Sequence, residues 1–118
     1  MALYFKKINK PKKIITNKTI HRTSLLSKAT GLMLHKKILN EAHIFYFKKP
    51  IKIEITMLFV FFPIDIIFLN KNKIIEIKEN LKPFRHYKAK NQANTFIELP
   101  RGHIKKHNLE INDEIIIN

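Results

Sequence analysis

The chain has 118 residues, a formal net charge of +14 and no cysteine. The length suits one domain with a core of its own, and the missing cysteine excludes disulfides and thiolate metal sites. Charge of this sign points to polyanionic partners such as nucleic acid or an anionic surface.

Residues 1–12 read as a basic arm or a first edge strand. Part of their charge is compositional. Ile, Lys and Asn dominate the sequence and Arg occurs only three times, the bias an AT-rich genome produces through its codons. Codon usage does not explain the distribution, because residues 1–40 hold nine Lys, one Arg and no acid. Lys6, Lys7, Lys10, Lys12, Lys13 and Arg22 are therefore the candidate polyanion-binding set. Phosphate contacts from such a segment give affinity without reading a base sequence. Tyr4 and Phe5 could stack on bases, but two aromatics make a weak platform.

IITNKTIHR (14–22) sets Asn17-Lys18 between β-branched residues and predicts a hairpin. SLLSKATGLM (24–33) predicts a two-turn helix capped by Ser24 and ended at Gly31. HIFYF (43–47) is a predicted strand broken by Lys-Lys-Pro. IKIEITML (51–58) follows as a second strand, with Ile51, Ile53 and Ile55 on one face. After Pro63, IDIIFL (64–69) is apolar on both faces and returns through the NKNK turn to KIIEIKE (73–79). Residues 80–94 are polar, contain Pro83 and read as a loop. NTFIEL (94–99) is a strand, Pro100 opens a short helix over RGHIKKHN, and EIIIN closes the chain as a last strand. The expected fold is mainly β (α+β): a small barrel-like or strongly curled, mostly antiparallel sheet with one or two short helices. No stretch resembles a secretory signal. The apolar run 55–69 is too short to span a bilayer and is interrupted by Pro63 and Asp65, so a cytoplasmic location is expected.

Asp65 lies in the most apolar part of the chain. A buried carboxylate needs donors, either backbone N–H groups or a cation such as Arg22, Arg85 or Arg101. It then fixes a loop or a helix end, or it serves as a site residue at the mouth of a barrel. Glu98 would pair with Asp65 if their strands were neighbours, raising one pKa for acid–base work; a solvated or Lys-paired Glu98 is the alternative. Arg101-Gly102 offers either an anion contact at a helix start or only a tight turn. His103 and His107 have chelating spacing, but they lack the Glu and the third ligand of a zinc motif and enclose Lys105-Lys106. No metal and no cofactor is expected. The other histidines carry no spacing signal, and Met33 and Met57 read as core filler. There is no glycine-rich phosphate loop and no Gly-x-Ser-x-Gly context.

NKT (17–19), GLM (31–33), PIDIIFL (63–69), LKPF (81–84), IELPRG (97–102) and the terminal EIII (114–117) together resemble the family called domain of unknown function 192, over residues 14–117. The resemblance implies a compact, mostly β domain with a barrel-like sheet and a short helix before GLM. The role of that family is not established, so the resemblance implies no reaction. The chain departs from the family pattern at His35, where Arg is usual, at Asn112-Asp113 for Gly-Asp, and at Glu41-Ala42. Asn112 can still take the left-handed conformation, whereas His35 would make any anion contact there pH-dependent. The reading is a non-enzymatic module whose basic N-terminal region contacts a polyanion such as RNA or DNA. The alternative is a small-ligand or catalytic pocket built from Asp65, Glu98, Arg85, Arg101 and His35.

Overall fold

The computed structural model describes residues 1–22, 41–57 and 62–118. The predicted helix at 24–33, the GLM segment and His35 lie outside the described residues, and so does the side chain of Arg22. The described elements are β1 (Leu3–Lys6), β2 (Lys13–Thr16), β3 (Lys18–Arg22), β4 (Glu41–Thr56), β5 (Ile64–Asn70), β6 (Lys73–Leu81), β7 (His86–Pro100), helix α1 (His103–His107) and β8 (Glu114–Ile117).

The strands form one sheet in the order β2-β1-β8-β6-β5-β7-β4-β3. The β3–β4 pair is parallel and the other described pairs are antiparallel. The sheet is mixed and open, with β2 and β3 at its two ends, so a closed barrel does not form. It curls instead. Leu3, Phe5 and Ile15 from one end share a buried cluster with Ala42 and Ile44 from near the other, and Ile104 and Leu109 from α1 and its exit close over it. The opposite face of β4, β5 and β7 buries Phe45, Ile66, Phe68 and Phe96 in a second cluster. Phe45 and Phe96 stack with ring centres 4.5 Å apart. Strand β5 feeds both cores, which is why IDIIFL is apolar on both sides: Ile64, Ile66 and Phe68 go one way, Ile67 and Leu69 the other.

The β5–β6 hairpin forms as the sequence indicates. Its turn places Lys71 and Asn72 at φ 52° and 65°, the double positive φ of a tight hairpin turn, which Asn accepts readily. Three expectations change. Residues 14–22 are not a hairpin: β2 pairs with β1 and β3 pairs with β4, so two successive strands lie at opposite ends of the sheet. The basic N-terminus is not a loose arm, because Leu3 and Phe5 are buried and β1 sits between β2 and β8; the edge strand is β2. Residues 86–94 are not a loop but the first part of β7. Their polarity reflects a ribbon with wet outer positions, while small Ala89 and Ala93 face inward. Across from them β4 runs through Pro50, where the pairing with β7 shifts register between Tyr46 and Ile51; an irregular position tolerates the missing N–H.

Glu76 secures that ribbon. Its buried carboxylate accepts bonds from the Tyr87 hydroxyl, from the Lys90 and Asn91 backbone N–H groups and from the Asn91 side chain. Burial pushes the Glu76 carboxyl up, but these donors outweigh it and hold it below its ordinary range. Burial and then the Glu76 carboxylate push the Tyr87 hydroxyl up to about 12.

Candidate functional site

Asp65 is 1% exposed, and its partners are all backbone. The Asn80 N–H donates to Oδ1 at 2.9 Å, and the Gly102 and Ile104 N–H groups donate to Oδ2 at 3.0 Å each. Two local features aim these donors. A bulge in β6 puts three residue steps, Lys78 to Leu81, opposite two on β5, and Asn80 takes φ 52° within it. Gly102, at φ 91°, turns the chain from β7 into α1. A Cβ there would touch nothing within 4 Å, so glycine is required by the backbone angle and not by space. Asp65 therefore caps α1 from another strand, doing what a helix's own cap residue usually does. Pro100 ends β7 and does not start the helix, which begins at His103.

Of the proposed pocket, the described members Glu98, Arg85 and Arg101 do not gather around Asp65. Glu98 is on the neighbouring strand, but Asp65 faces Leu99 in register and Glu98 faces Ile66. The two carboxylates thus project from opposite faces of the sheet and form no pair. Arg85 and Arg101 are exposed in turns, and neither is among the donors to Asp65. Glu98 instead lies directly across from His43, which is fully buried. His43 Nε2 is 3.4 Å from Glu41, and Glu41 is 2.9 Å from Lys18. This Glu–His–Glu row, buried at His43 and Glu98 and half-buried at Glu41, was legible only as alternate positions on one strand, 41 and 43; its third member required the β4–β7 register.

The cationic set divides by face. Lys12 sits 4.5 Å over the Tyr4 ring, a cation–π contact, and Lys6 lies opposite Glu114. Lys7, Lys10 and Lys13 point the other way. With Phe5, Pro11, His107 and Asn108 they line a cavity of about 180 Å³ between the β1–β2 connection and α1. Lys7 is already committed, bonded to Asp113 at 2.7 Å and Glu110 at 2.8 Å. Burial pulls its ammonium down, but those carboxylates outweigh burial and hold it above its ordinary value. Lys10 and Lys13 are exposed and have no ion pair among the described residues. His107 packs edge-on to Phe5, with ring centres 5.7 Å apart. Burial, His103 and Lys106 all lower its pKa. No group of three or more acidic or histidine side chains arranged for a metal ion exists among the described residues.

An open, curled, mostly antiparallel sheet with a short helix latched by a buried Asp defines a class of small mainly-β domain. The sequence profile of DUF192, described as "Uncharacterized ACR", matches residues 10–117, and the chain belongs to that family. A UPF0127 protein of Pyrococcus furiosus is 32% identical over 96 residues, covering 78% of this chain and 79% of its own length. One from Thermococcus sibiricus is 33% identical over 111 residues, covering 92% and 71%. Two crystal structures share the fold at 17% identity. A Sinorhizobium meliloti protein suggested to be a transcription regulator has a TM-score of 0.87, over 98% of this chain and 91% of its own. A Novosphingobium aromaticivorans protein of unknown function has a TM-score of 0.86, over 99% and 84%. No helix among the described residues is long and apolar enough to cross a membrane.

Proposed function

We propose that the chain is a non-enzymatic binding module for a polyanion, RNA or DNA, and that the contact surface is the β1–β2 edge together with α1. One observation carries this reading. Residues 1–22 hold seven cations and no acid, and the fold sets Lys10 and Lys13 beside α1, which adds exposed Lys105 and Lys106. The acids nearest this face, Glu110 and Asp113, are occupied by Lys7. The suggested role of the Sinorhizobium structure is compatible, although at 17% identity that likeness shows the fold alone.

The test is fluorescence anisotropy with labelled single- and double-stranded RNA and DNA at near-physiological ionic strength, ~0.15 M. Deleting the N-terminal residues is unsuitable, since it would remove the buried Leu3 and Phe5. The informative variant is Lys10→Gln/Lys13→Gln/Lys105→Gln/Lys106→Gln. On a single strand it should flatten the slope of log affinity against log salt by about 3, at roughly 0.7 per lost phosphate contact. A native protein that binds none of the four probes at this salt would overturn the reading.

A further inference from the structure

The corner between β6 and β7 carries a residue that its backbone disfavours. Lys82-Pro83-Phe84-Arg85 is a tight turn, closed by the Arg85 N–H donating to Lys82 O at 3.3 Å. Pro83 stands second and Phe84 third, at φ 63°. That is the pattern of a type II turn, whose third position favours Gly or Asn. Among the described residues, seven besides glycine take a positive φ: five are Asn, one is Lys71 and one is Phe84. A bulky side chain at such an angle strains the backbone, and retained strain is a pointer to function. Phe84 is not a core residue either, being 59% exposed, and it is the one aromatic among the exposed large apolar side chains described. The corner is held firmly all the same. The Phe84 N–H donates to Met57 O and the Met57 N–H to Arg85 O, each at 2.8 Å. An aromatic ring is thus presented to solvent from a pinned turn. On either side of it Lys82 and Arg85 are exposed and make no ion pair among the described residues.

We propose that Phe84 is a base-stacking anchor: it takes one unpaired nucleobase of a single-stranded nucleic acid on its ring, while Lys82 and Arg85 meet the adjoining phosphates. A π-face between two cations matches a ligand that is itself flat and carries negative charge on either side. The base must be unpaired, because a base inside a duplex has both faces covered by its neighbours. Every base has such a face, so the contact selects single strands without reading their sequence. The inference deepens the polyanion reading and rests on it. It names the single strand as the ligand and adds a contact separate from the β1–β2 edge. The corner belongs to the same end of the molecule as the start of α1. Asn80 and Gly102 donate to one carboxylate, that of Asp65, and Phe84 follows Asn80 by four residues, at most about 14 Å of chain.

The test uses the absence of Trp from the sequence. Phe84→Trp keeps an aromatic face and places a single fluorescent reporter at the corner. Its emission is followed at ~0.15 M salt during titration with oligothymidylate and with an abasic strand of equal length and charge. The expected result is saturable quenching by oligothymidylate and none by the abasic strand. Phe84→Asn supplies the second arm. Asn suits the positive φ, so this variant should melt close to the native protein. Its affinity for oligothymidylate in an anisotropy titration should fall about fivefold or more. The slope of log affinity against log salt should stay unchanged, since the phosphate contacts that set it remain. Equal binding of the two strands by the native protein, or a Phe84→Asn variant that binds as the native protein does, overturns the anchor and leaves the polyanion reading standing. No binding of either strand overturns both. Quenching by phosphatidylglycerol vesicles but not by oligothymidylate overturns the anchor and makes the corner a lipid contact.

Discussion

At its N-terminal end α1 is held by a carboxylate sunk in the sheet; at its C-terminal end it faces lysines around an open cavity. Asp65 is surrounded by apolar side chains and satisfied by three backbone N–H groups. The lysines of the cavity stand in water, and the carboxylates near them are bound by Lys7. The contrast extends to the whole chain. Of its nine acids, Asp65, Glu76, Glu98 and Asp113 are buried, while Lys10, Lys12, Lys13, Lys105 and Lys106 are exposed. Much of the acid is thus spent on holding the fold, and the base is left for the surface. Acids that are structural should fail as stability defects, and bases that bind should fail as affinity defects.

The largest effect should come from Asp65→Ala. Three backbone donors would lose their acceptor, one of them at a bulge and two at the start of α1. The expected loss is about 3–5 kcal/mol of folding stability, at roughly 1–3 kcal/mol per buried unsatisfied group with partial relaxation; urea unfolding measures it. A loss below about 1 kcal/mol, the scale of a single ordinary hydrogen bond, would mean that Asp65 does not latch the helix.

Glu76→Gln should cost less, about 2 kcal/mol, since a neutral amide keeps one acceptor but loses the charge-assisted bonds. The pH dependence carries a definite sign. The Glu76 carboxyl is depressed on folding, so its stabilisation is present above the unfolded value, about 4.3, and is lost as pH falls through the folded value. Urea midpoints at about pH 5 and about pH 3 should differ less in Glu76→Gln than in the native protein. An equal difference would show that Glu76 is not an acid-sensitive support.

Gly102→Ala should cost about 1–2 kcal/mol through backbone strain at φ 91° alone, because the added Cβ meets nothing. It should shift the thermal midpoint without changing polyanion binding once the protein is folded. The smallest effect belongs to His107. Its pKa is lowered on folding, so stability is highest above the unfolded value, about 6.5, and declines as pH falls below it, because the unfolded chain then takes up the proton first. Comparing unfolding of the native protein and His107→Asn at about pH 7.5 and about pH 5.5 should show a shallower decline in the variant.

The sequence carried the parts of this design that depend on local chemistry. A run apolar on both faces marked β5, the NKNK turn marked its hairpin with β6, and an isolated acid in that apolar strand marked Asp65 as needing donors. The identity of those donors was hidden, because Asn80, Gly102 and Ile104 come together only through the β6 bulge and the turn out of β7. Pairing was the other hidden layer. Nothing within residues 13–22 says that β2 and β3 part to opposite ends of the sheet, since β2 pairs back with β1 and β3 pairs forward with β4. The cavity was hidden for the same reason. Lys10 and Lys13 stood out as charge and His107 as a weak metal candidate, but only the passage of β1 beside β8 brings the N-terminal turn against α1.

The division between structural acids and binding bases is tested most directly by one paired anisotropy measurement. A labelled single strand is titrated at ~0.15 M salt with Asp65→Asn and with Lys10→Gln/Lys13→Gln/Lys105→Gln/Lys106→Gln, each well below its melting temperature. The predicted result is that the lysine variant melts like the native protein and loses at least about tenfold in affinity, or 1.4 kcal/mol, whereas Asp65→Asn melts earlier and binds as the native protein does. A folded Asp65→Asn that no longer binds, beside a lysine variant that does, would contradict the account and move the site to the buried carboxylate.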